Sequence, residues 1–345
     1  MLQQEGREQG AVQIMARVCR CISFAAVCLL VLTPAAFAQG EAGAGSLIIP
    51  PGARANGMGQ SYVAIADDAT AMWWNPAGLA FVGNAAIDLM HSQLVPDLAS
   101  DVFFEYFGGA YHIQGIGVIG VSVQYLTYGE WTHTKLTPED LGTASSWEIA
   151  PMIGGAVRLM DRLSVGMNIK FVYISLAPAW ATIEGTSGTG HSVAVDFGAL
   201  WKVPDFSLLG LNVRRLDVGL AVSNLGPSIT FINRDQAANL PRNLRGGIAY
   251  TPFLGDAARF TIAAEVNRPL VEFERSNTYH GGGEFFYADL IGIRVGYIHD
   301  RDGYIKDWTY GLGFMFNNRV RIDWASVPQA EELARVHRWS IGFTF

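Results

Sequence analysis

Alternation with period two limits this chain more than any other pattern in it. In RLSVGMNIKFVY (162–173), Leu163, Val165, Met167, Ile169, Phe171 and Tyr173 fall on one side of an extended chain, and Ser164, Gly166, Asn168 and Lys170 on the other. The pattern returns in DWTYGLGFMF (307–316), where Trp308, Tyr310, Leu312, Phe314 and Phe316 oppose Thr309, Gly311 and Gly313. It returns again in HRWSIGFTF (337–345), where Trp339, Ile341, Phe343 and Phe345 oppose Ser340, Gly342 and Thr344. A soluble sandwich also has one apolar face, so the opposite face decides. Here it is Ser, Gly, Asn and Thr instead of the Lys and Glu of a water-exposed sheet, as expected for a wall lining a hydrated or filled lumen. Only 16% of residues are charged and 50% are hydrophobic, whereas soluble domains carry about 25% charged residues. Part of the apolar surface is therefore expected to face lipid.

The alternation marks fourteen strands, near 84–92, 102–112, 116–127, 147–159, 162–176, 190–202, 212–224, 242–252, 258–268, 276–288, 290–299, 305–316, 318–327 and 334–345. Most have the ~9–11 residues that a tilted membrane strand needs, and the count is even. Connections after odd-numbered strands include 128–146, 177–189 and 225–241, whereas those after even-numbered strands include 113–115, 160–161, Asp289 and Asn317. Long loops at one end and tight turns at the other are what an outer-membrane barrel has, with both termini on the periplasmic side. Trp131, Trp147, Trp180, Trp201 and Trp308 fall at or near strand ends, where aromatic girdles sit. No apolar run of 18 residues follows residue 39, which excludes helical membrane spans there. The fold class expected is all-β: a transmembrane antiparallel barrel of about 14 strands over 84–345.

Ahead of it, MARVCRCISFAAVCLLVLTPAAFA (15–38) has the parts of an export signal. Arg17 and Arg20 precede the apolar stretch from Cys21 to Leu32, and Ala36-Phe37-Ala38 forms a small-residue cleavage site. A cleaved signal is expected over 1–38. Cys19, Cys21 and Cys28 all lie within it, so the exported chain has no disulfide or thiolate chemistry. The formal net charge of −7 offers no basic face for nucleic acid.

Motifs for chemistry are weak. GIGVIG (115–120) matches a dinucleotide fingerprint, but it opens a strand with no helix after it, so its glycines are expected to relieve crowding on the lumen face. HDRDG (299–303) lacks the remaining ligands of a calcium loop and is expected to be a hairpin turn. His91, His112, His133, His191, His280, His299 and His337 show no metal spacing, and no G-x-S-x-G occurs. No catalytic residue, metal or cofactor is expected, and the chain is expected not to be an enzyme.

DDATAMWWNPAGLA (67–80) looks like an acidic site at first sight. Asp67 or Asp68 is instead expected to cap a short helix with Ala69, Met72 and Trp73 on one face, ended by Pro76 because Asn75 is pushed out of helical geometry. The terminal Phe345, with Phe343, Ile341 and Trp339 before it, resembles the signal by which barrels are handed to their assembly machinery.

GARANGMGQSYVAIADDATAMWWNPAGLA (52–80) resembles the amino-terminal signature of the PorV/PorQ family of outer-membrane barrels, related to the FadL transporters. The likeness continues through DVGLAVSNLGPSITF (217–231), LPRNLRGGIAY (240–250) and YHGGGEFFYADLIGIRVGY (279–297). It implies a fourteen-stranded barrel whose segment 39–83 folds into the lumen as a hatch. By position, Arg54, Gly57, Gly59, Asp67, Asp68, Asn75, Pro76 and Gly78 form the hatch motif, with Met72, Trp73 and Trp74 as its lumen side chains. Asn224, Gly226 and Pro227 shape the outer end of the seventh strand, as a docking element. Gln60 departs from the Gly or Ala frequent in the family. The resemblance implies the bacterial outer membrane and two lines of function. One is type IX secretion, with secreted cargo and a surface attachment complex as partners; the other is FadL-like passage of fatty acids or other hydrophobic small molecules. Apolar loops such as WTHTKL (131–136), APAWATI (177–183) and ITFI (229–232) suit the first, and a movable hatch the second.

Overall fold

The computed structural model describes residues 43–345 except 135–139, 209–210, 233–236, 256, 272–274 and 331–332. The export signal expected over 1–38 lies outside the described residues. Among the described residues, sixteen strands follow an irregular segment: β1 (Ala85–Gln93), β2 (Val102–Ile113), β3 (Gly117–Thr134), β4 (Asp140–Met160), β5 (Leu163–Ala177), β6 (Gly188–Lys202), β7 (Phe206–Leu208), β8 (Leu211–Val213), β9 (Leu216–Leu225), β10 (Asn243–Leu254), β11 (Ala258–Pro269), β12 (Thr278–Tyr287), β13 (Ile291–Asp300), β14 (Ile305–Phe316), β15 (Val320–Val327) and β16 (Val336–Thr344).

Fourteen of them, β1–β6 and β9–β16, close into one barrel in sequence order, with β6 pairing directly to β9. The seam is antiparallel, from Ala86 opposite Thr344 to Ser92 opposite Arg338. Closure leaves no unpaired strand edge, the condition for backbone to sit in lipid. Tight connections at 114–116, 161–162, 288–290 and 317–319 share one end with the barrel's first and last residues. The longer connections 94–101, 178–187 and 226–242 are at the other end, which in outer-membrane barrels faces outward.

The wall is inside out relative to a soluble protein. Ser164, Asn168, Lys170, Asp196, Glu265, Glu284, Arg294 and Asp323 are buried, while Ile153, Ile169, Trp308, Phe314 and Trp339 are exposed on the outer face. Outward rings His91, Phe103, Tyr125, Trp147 and Tyr173 follow one another across β1–β5 at centroid spacings of 5.9, 6.3, 6.3 and 5.5 Å. They form an arc of the interfacial girdle.

Two features depart from the expected layout. The connection 128–146 is largely strand, with Glu130 opposite Ser145 and Thr132 opposite Thr143. The register shifts between Thr127 and Glu130, and Gly129 sits there at φ 82°, so a bulge carries β3 onward in the opposite phase. That phase change hides the continuation from a period-two reading. The second departure is the β7–β8 hairpin, inserted between the barrel strands β6 and β9.

Candidate functional site: the hatch and the outer vestibule

Residues 43–82 precede β1 and fill the space enclosed by the wall. They form one-turn helices at Ala53–Gly57 and Ala71–Trp74 and 3-10 turns at Gly45–Leu47 and Pro76–Phe81. Met58, Tyr62, Met72, Trp74 and Leu79 are almost completely buried. The hatch seats against the wall backbone to backbone at several inward glycines. A Cβ on Gly296 would lie 2.0 Å from Gly59 N, one on Gly166 2.3 Å from Pro76 C, and one on Gly219 2.2 Å from Val63 O. Gly120, within the GIGVIG stretch, serves the same end: its Cβ would meet Met72 Sδ at 2.4 Å.

Of the family-motif residues, Gly57 touches Gly311 of β14 at a separation that leaves no room for a side chain, and Gly78 does the same against Ala66 O. Gly59 adopts φ 66° and donates its N–H to Thr309 Oγ1 at 2.9 Å. Gln60 follows with φ 63°, a left-handed conformation that costs a non-glycine residue about 1 kcal/mol. Asn75 is a three-way tie: its Oδ1 accepts from Ala77 N, and its Nδ2 donates to Val63 O at 2.8 Å and to Ala199 O of β6 at 3.0 Å.

The acids do not cap the helix in the way expected. The residue before Ala71 is Thr70, and its side chain makes no capping bond. Asp68 Oδ1 instead accepts from the backbone N and the hydroxyl of Thr70, while its Oδ2 accepts from Tyr62 OH at 2.8 Å and from Arg321 at 2.9 Å. Asp67 pairs with Arg54 Nη1 at 2.6 Å. Asp68 thus combines a local bond to the Thr70 backbone with a tie to the wall through Arg321 of β15, whereas the Asp67–Arg54 pair lies within the hatch.

Arg54 is the centre of this tie. It makes a bidentate pair with Glu284 of β12, whose Oε2 also accepts from Arg294 Nε at 2.7 Å. Arg294 continues to Asp323 at 2.7 Å, Asp323 to Arg321 at 2.6 Å, and Arg321 to Asp88 at 3.0 Å as well as to Asp68. One continuous ion-pair chain thus runs from the hatch through β12, β13 and β15 to β1 and back to the hatch. Burial pushes the Asp68 carboxyl up, but Arg321, Arg54 and the bonds from Thr70 and Tyr62 outweigh it and hold the group below the usual carboxylate range. The wall partners Glu284, Arg294, Arg321, Asp323 and Asp88 were not picked out from the sequence. Their signal was there: isolated charges at inward positions of alternating strands, as in GGGEFFY and GIRVGY.

Trp73 and Trp74 pack edge to face with centroids 4.7 Å apart, and their Nε1 atoms donate to Leu47 O and Pro51 O. The Arg245 guanidinium lies 4.1 Å from the Trp73 ring centroid. Asn168 Nδ2 donates to Met72 O at 2.5 Å.

Asn224 is buried rather than displayed. At φ 61° it occupies a register shift between β6 and β9, accepts from Lys170 Nζ at 2.6 Å, and donates its backbone N–H to Asp196 at 2.7 Å. Gly226 packs so close to Val193 O that a Cβ would lie 2.2 Å away. Pro227 O accepts from Ser192 Oγ at 2.8 Å. Together they turn the chain inward after β9, and Ile229 and Leu240 cover Leu47 of the hatch segment. Trp339 and Phe345 are exposed on the outer face, with Ile341 and Phe343 half-buried beside them.

Above the hatch, toward the end with the longer connections, lies a cavity of about 690 Å³. Its floor includes Leu47, Pro50 and Gln60, and its wall carries Arg242, Arg245 and Arg338.

The family model described as type IX secretion system protein PorV matches residues 41–275. Among solved structures, the Ralstonia pickettii toluene transporter TbuX aligns with TM-score 0.55 at 14% identity, over 86% of this chain and 98% of that one. The Pseudomonas putida toluene transporter TodX aligns with TM-score 0.53 at 11% identity, over 87% and 96%. The monoaromatic hydrocarbon channel CymD aligns with TM-score 0.53 at 14% identity, over 85% and 97%. At such identities the likeness is one of fold. No curated protein matches the chain.

Proposed function

We propose, from the premise that this chain belongs to the PorV family of outer-membrane β-barrels, that it is a plugged, non-enzymatic barrel that docks secreted cargo at the cell surface. The observation that carries this reading is the filled lumen. A hatch seated on wall glycines at backbone contact and locked by the Arg54–Glu284 pair leaves the barrel its outer face and outward loops with which to act. Passage of an apolar solute would need an apolar pocket leading to a path. The outward cavity has a mixed lining, in which arginines and amides stand beside Leu47, Ile48, Ile298 and Val327, and Arg245, which lines it, lies over Trp73 and Trp74 of the hatch.

The outward loops offer apolar surface for a partner. Trp180 is 51% exposed and Ile183 fully so, and Trp180 meets His133 of the extended β3–β4 hairpin at 6.1 Å, which in turn meets Trp131 at 6.3 Å. Exposed aromatic and aliphatic residues gathered at one place are what an interaction surface uses.

Affinity capture from detergent-solubilised outer membrane tests this. Tagged wild-type protein is expected to recover secreted proteins that share a C-terminal domain, and the Trp180→Glu/Ile183→Glu variant to recover far fewer while still running as a folded barrel. Repeated capture of no such protein by the wild type overturns the proposal.

A further inference from the structure

Among the described residues, the outer vestibule holds two cations that no carboxylate neutralises. Two of its arginines are paired, Arg245 with Glu265 at 3.5 Å and Arg275 with Asp300 at 3.3 Å. Arg242 and Arg338 have no carboxylate within ion-pair distance among the described residues. Arg242 donates Nη2 to Gly226 O at 2.9 Å, and Arg338 donates Nη1 to Pro50 O at 2.6 Å and to Asn56 Oδ1 at 2.8 Å. In both, the Nε is buried without a partner. Arg338 is 93% buried as a residue, with 7% of its surface accessible. Leaving a buried guanidinium without an anion is strongly unfavourable, and this chain, with a net charge of −7, has carboxylates to spare. Elsewhere in the lumen Arg54, Arg294 and Arg321 all have them.

Two more groups in the same cavity await partners of the complementary kind. Asn243 Oδ1 and Asn267 Oδ1 are buried acceptors that receive no hydrogen bond, and both residues line the vestibule. Asn243 opens β10 directly after Arg242, and Asn267 lies near the outer end of β11. Arg338 is in β16, six strands away from β10 around the ring. Fourteen strands spaced ~4.8 Å apart make a ring at least ~21 Å across, so one small anion cannot contact both arginines.

We infer that the outer vestibule binds an extended ligand bearing two oxyanion groups, carboxylate or phosphate, one at Arg242 and one at Arg338, with Asn243 and Asn267 accepting donors from the ligand between them. The size of the cavity, about 690 Å³, is that of a site for a molecule of drug-like dimensions. This inference goes beyond cargo docking and stands or falls without it.

Isothermal titration calorimetry on the full barrel in detergent tests it, with α,ω-alkanedicarboxylates and α,ω-alkanebisphosphonates of increasing length as probes and the matched monoanions beside them. A dianion of matching length is expected to bind saturably and at least about tenfold tighter than its monoanion, since each charge-assisted bond contributes roughly that factor or more. Arg242→Gln and Arg338→Gln are each expected to weaken it about tenfold or more. Arg338→Lys keeps the charge should the glutamine variant loosen the hatch, and is expected to bind within a few-fold of wild type. Arg335→Gln, which removes the exterior pair with Asp307, is expected to change nothing. The carboxylate and phosphonate arms distinguish the two oxyanion sources. Absence of saturable binding, equal binding of mono- and dianions, or sensitivity to only one of the two arginines overturns the inference.

Discussion

Arg54 and Glu284 stand 230 residues apart in the chain and meet inside the barrel through two parallel hydrogen bonds, at 2.8 and 3.0 Å. Glu284 is 1% exposed and serves Arg294 with the same oxygen that takes Arg54 Nε. Removing its charge therefore leaves two buried guanidinium groups under-neutralised. Glu284→Gln is expected to destabilise the folded protein by about 3–5 kcal/mol, read as a fall in the denaturant midpoint of the barrel refolded in detergent. In a double-mutant cycle, Arg54→Met combined with Glu284→Met is expected to cost less than the sum of the single changes.

Asp68 sets a pH dependence. Its folded-state value lies below the ordinary 3.8, so its contribution is complete above about pH 4 and is lost as pH falls through the depressed folded value. The stability difference between wild type and Asp68→Asn is expected to stay constant from pH 7 to 5 and to shrink in stronger acid. Trp73 and Trp74 fluorescence during denaturation at each pH reports it. A difference that instead grows as pH falls from 7 to 5 would show a raised value.

Gly296→Ala inserts a methyl where Gly59 N would be 2.0 Å away. The wall strand β13 is held by its neighbours on both sides, so the hatch is the part that gives. The variant is expected to fold as a barrel but to lose about 1–3 kcal/mol, with faster proteolysis within 43–82 and greater quenching of Trp73 and Trp74.

Asn75→Ala removes the acceptor that starts the 76–81 turn and the donor shared by Val63 O and Ala199 O. All of these atoms belong to buried or half-buried groups, so a loss of about 2–3 kcal/mol is expected. Asn75→Asp keeps the acceptor but turns the donor into a carboxylate facing two carbonyls, and is expected to be worse. Thermal denaturation of the three proteins side by side checks the order.

The wall was legible because a membrane strand must repeat every second residue, and β5, β14 and β16 do so without interruption. The long β3–β4 hairpin was not, since the bulge at Gly129 reverses the phase on which that reading depends. The helix starts later than local preference places it for a related reason: Asp68 has a local use, its bond to the Thr70 backbone, and a distant one in Arg321 of β15, and only the folded ring brings the distant one within reach. The motif residues of the hatch were marked by the family resemblance. Their partners on the wall were not, because which inward charges face one another is set by strand register and stagger, which no local pattern encodes.

The hatch also bears on how the ring comes to be closed. Its Ala53–Gly57 helix packs against β14, β15 and β16, and its Pro76–Phe81 turn against β4, β5 and β6. The segment ahead of β1 thus touches early and late strands at once. Pairing β1 with β16 joins residues more than 240 positions apart, a closure whose entropic cost falls if both arcs are already gathered on a common template. The segment that blocks the finished pore is placed to act as the internal former on which the two arcs meet.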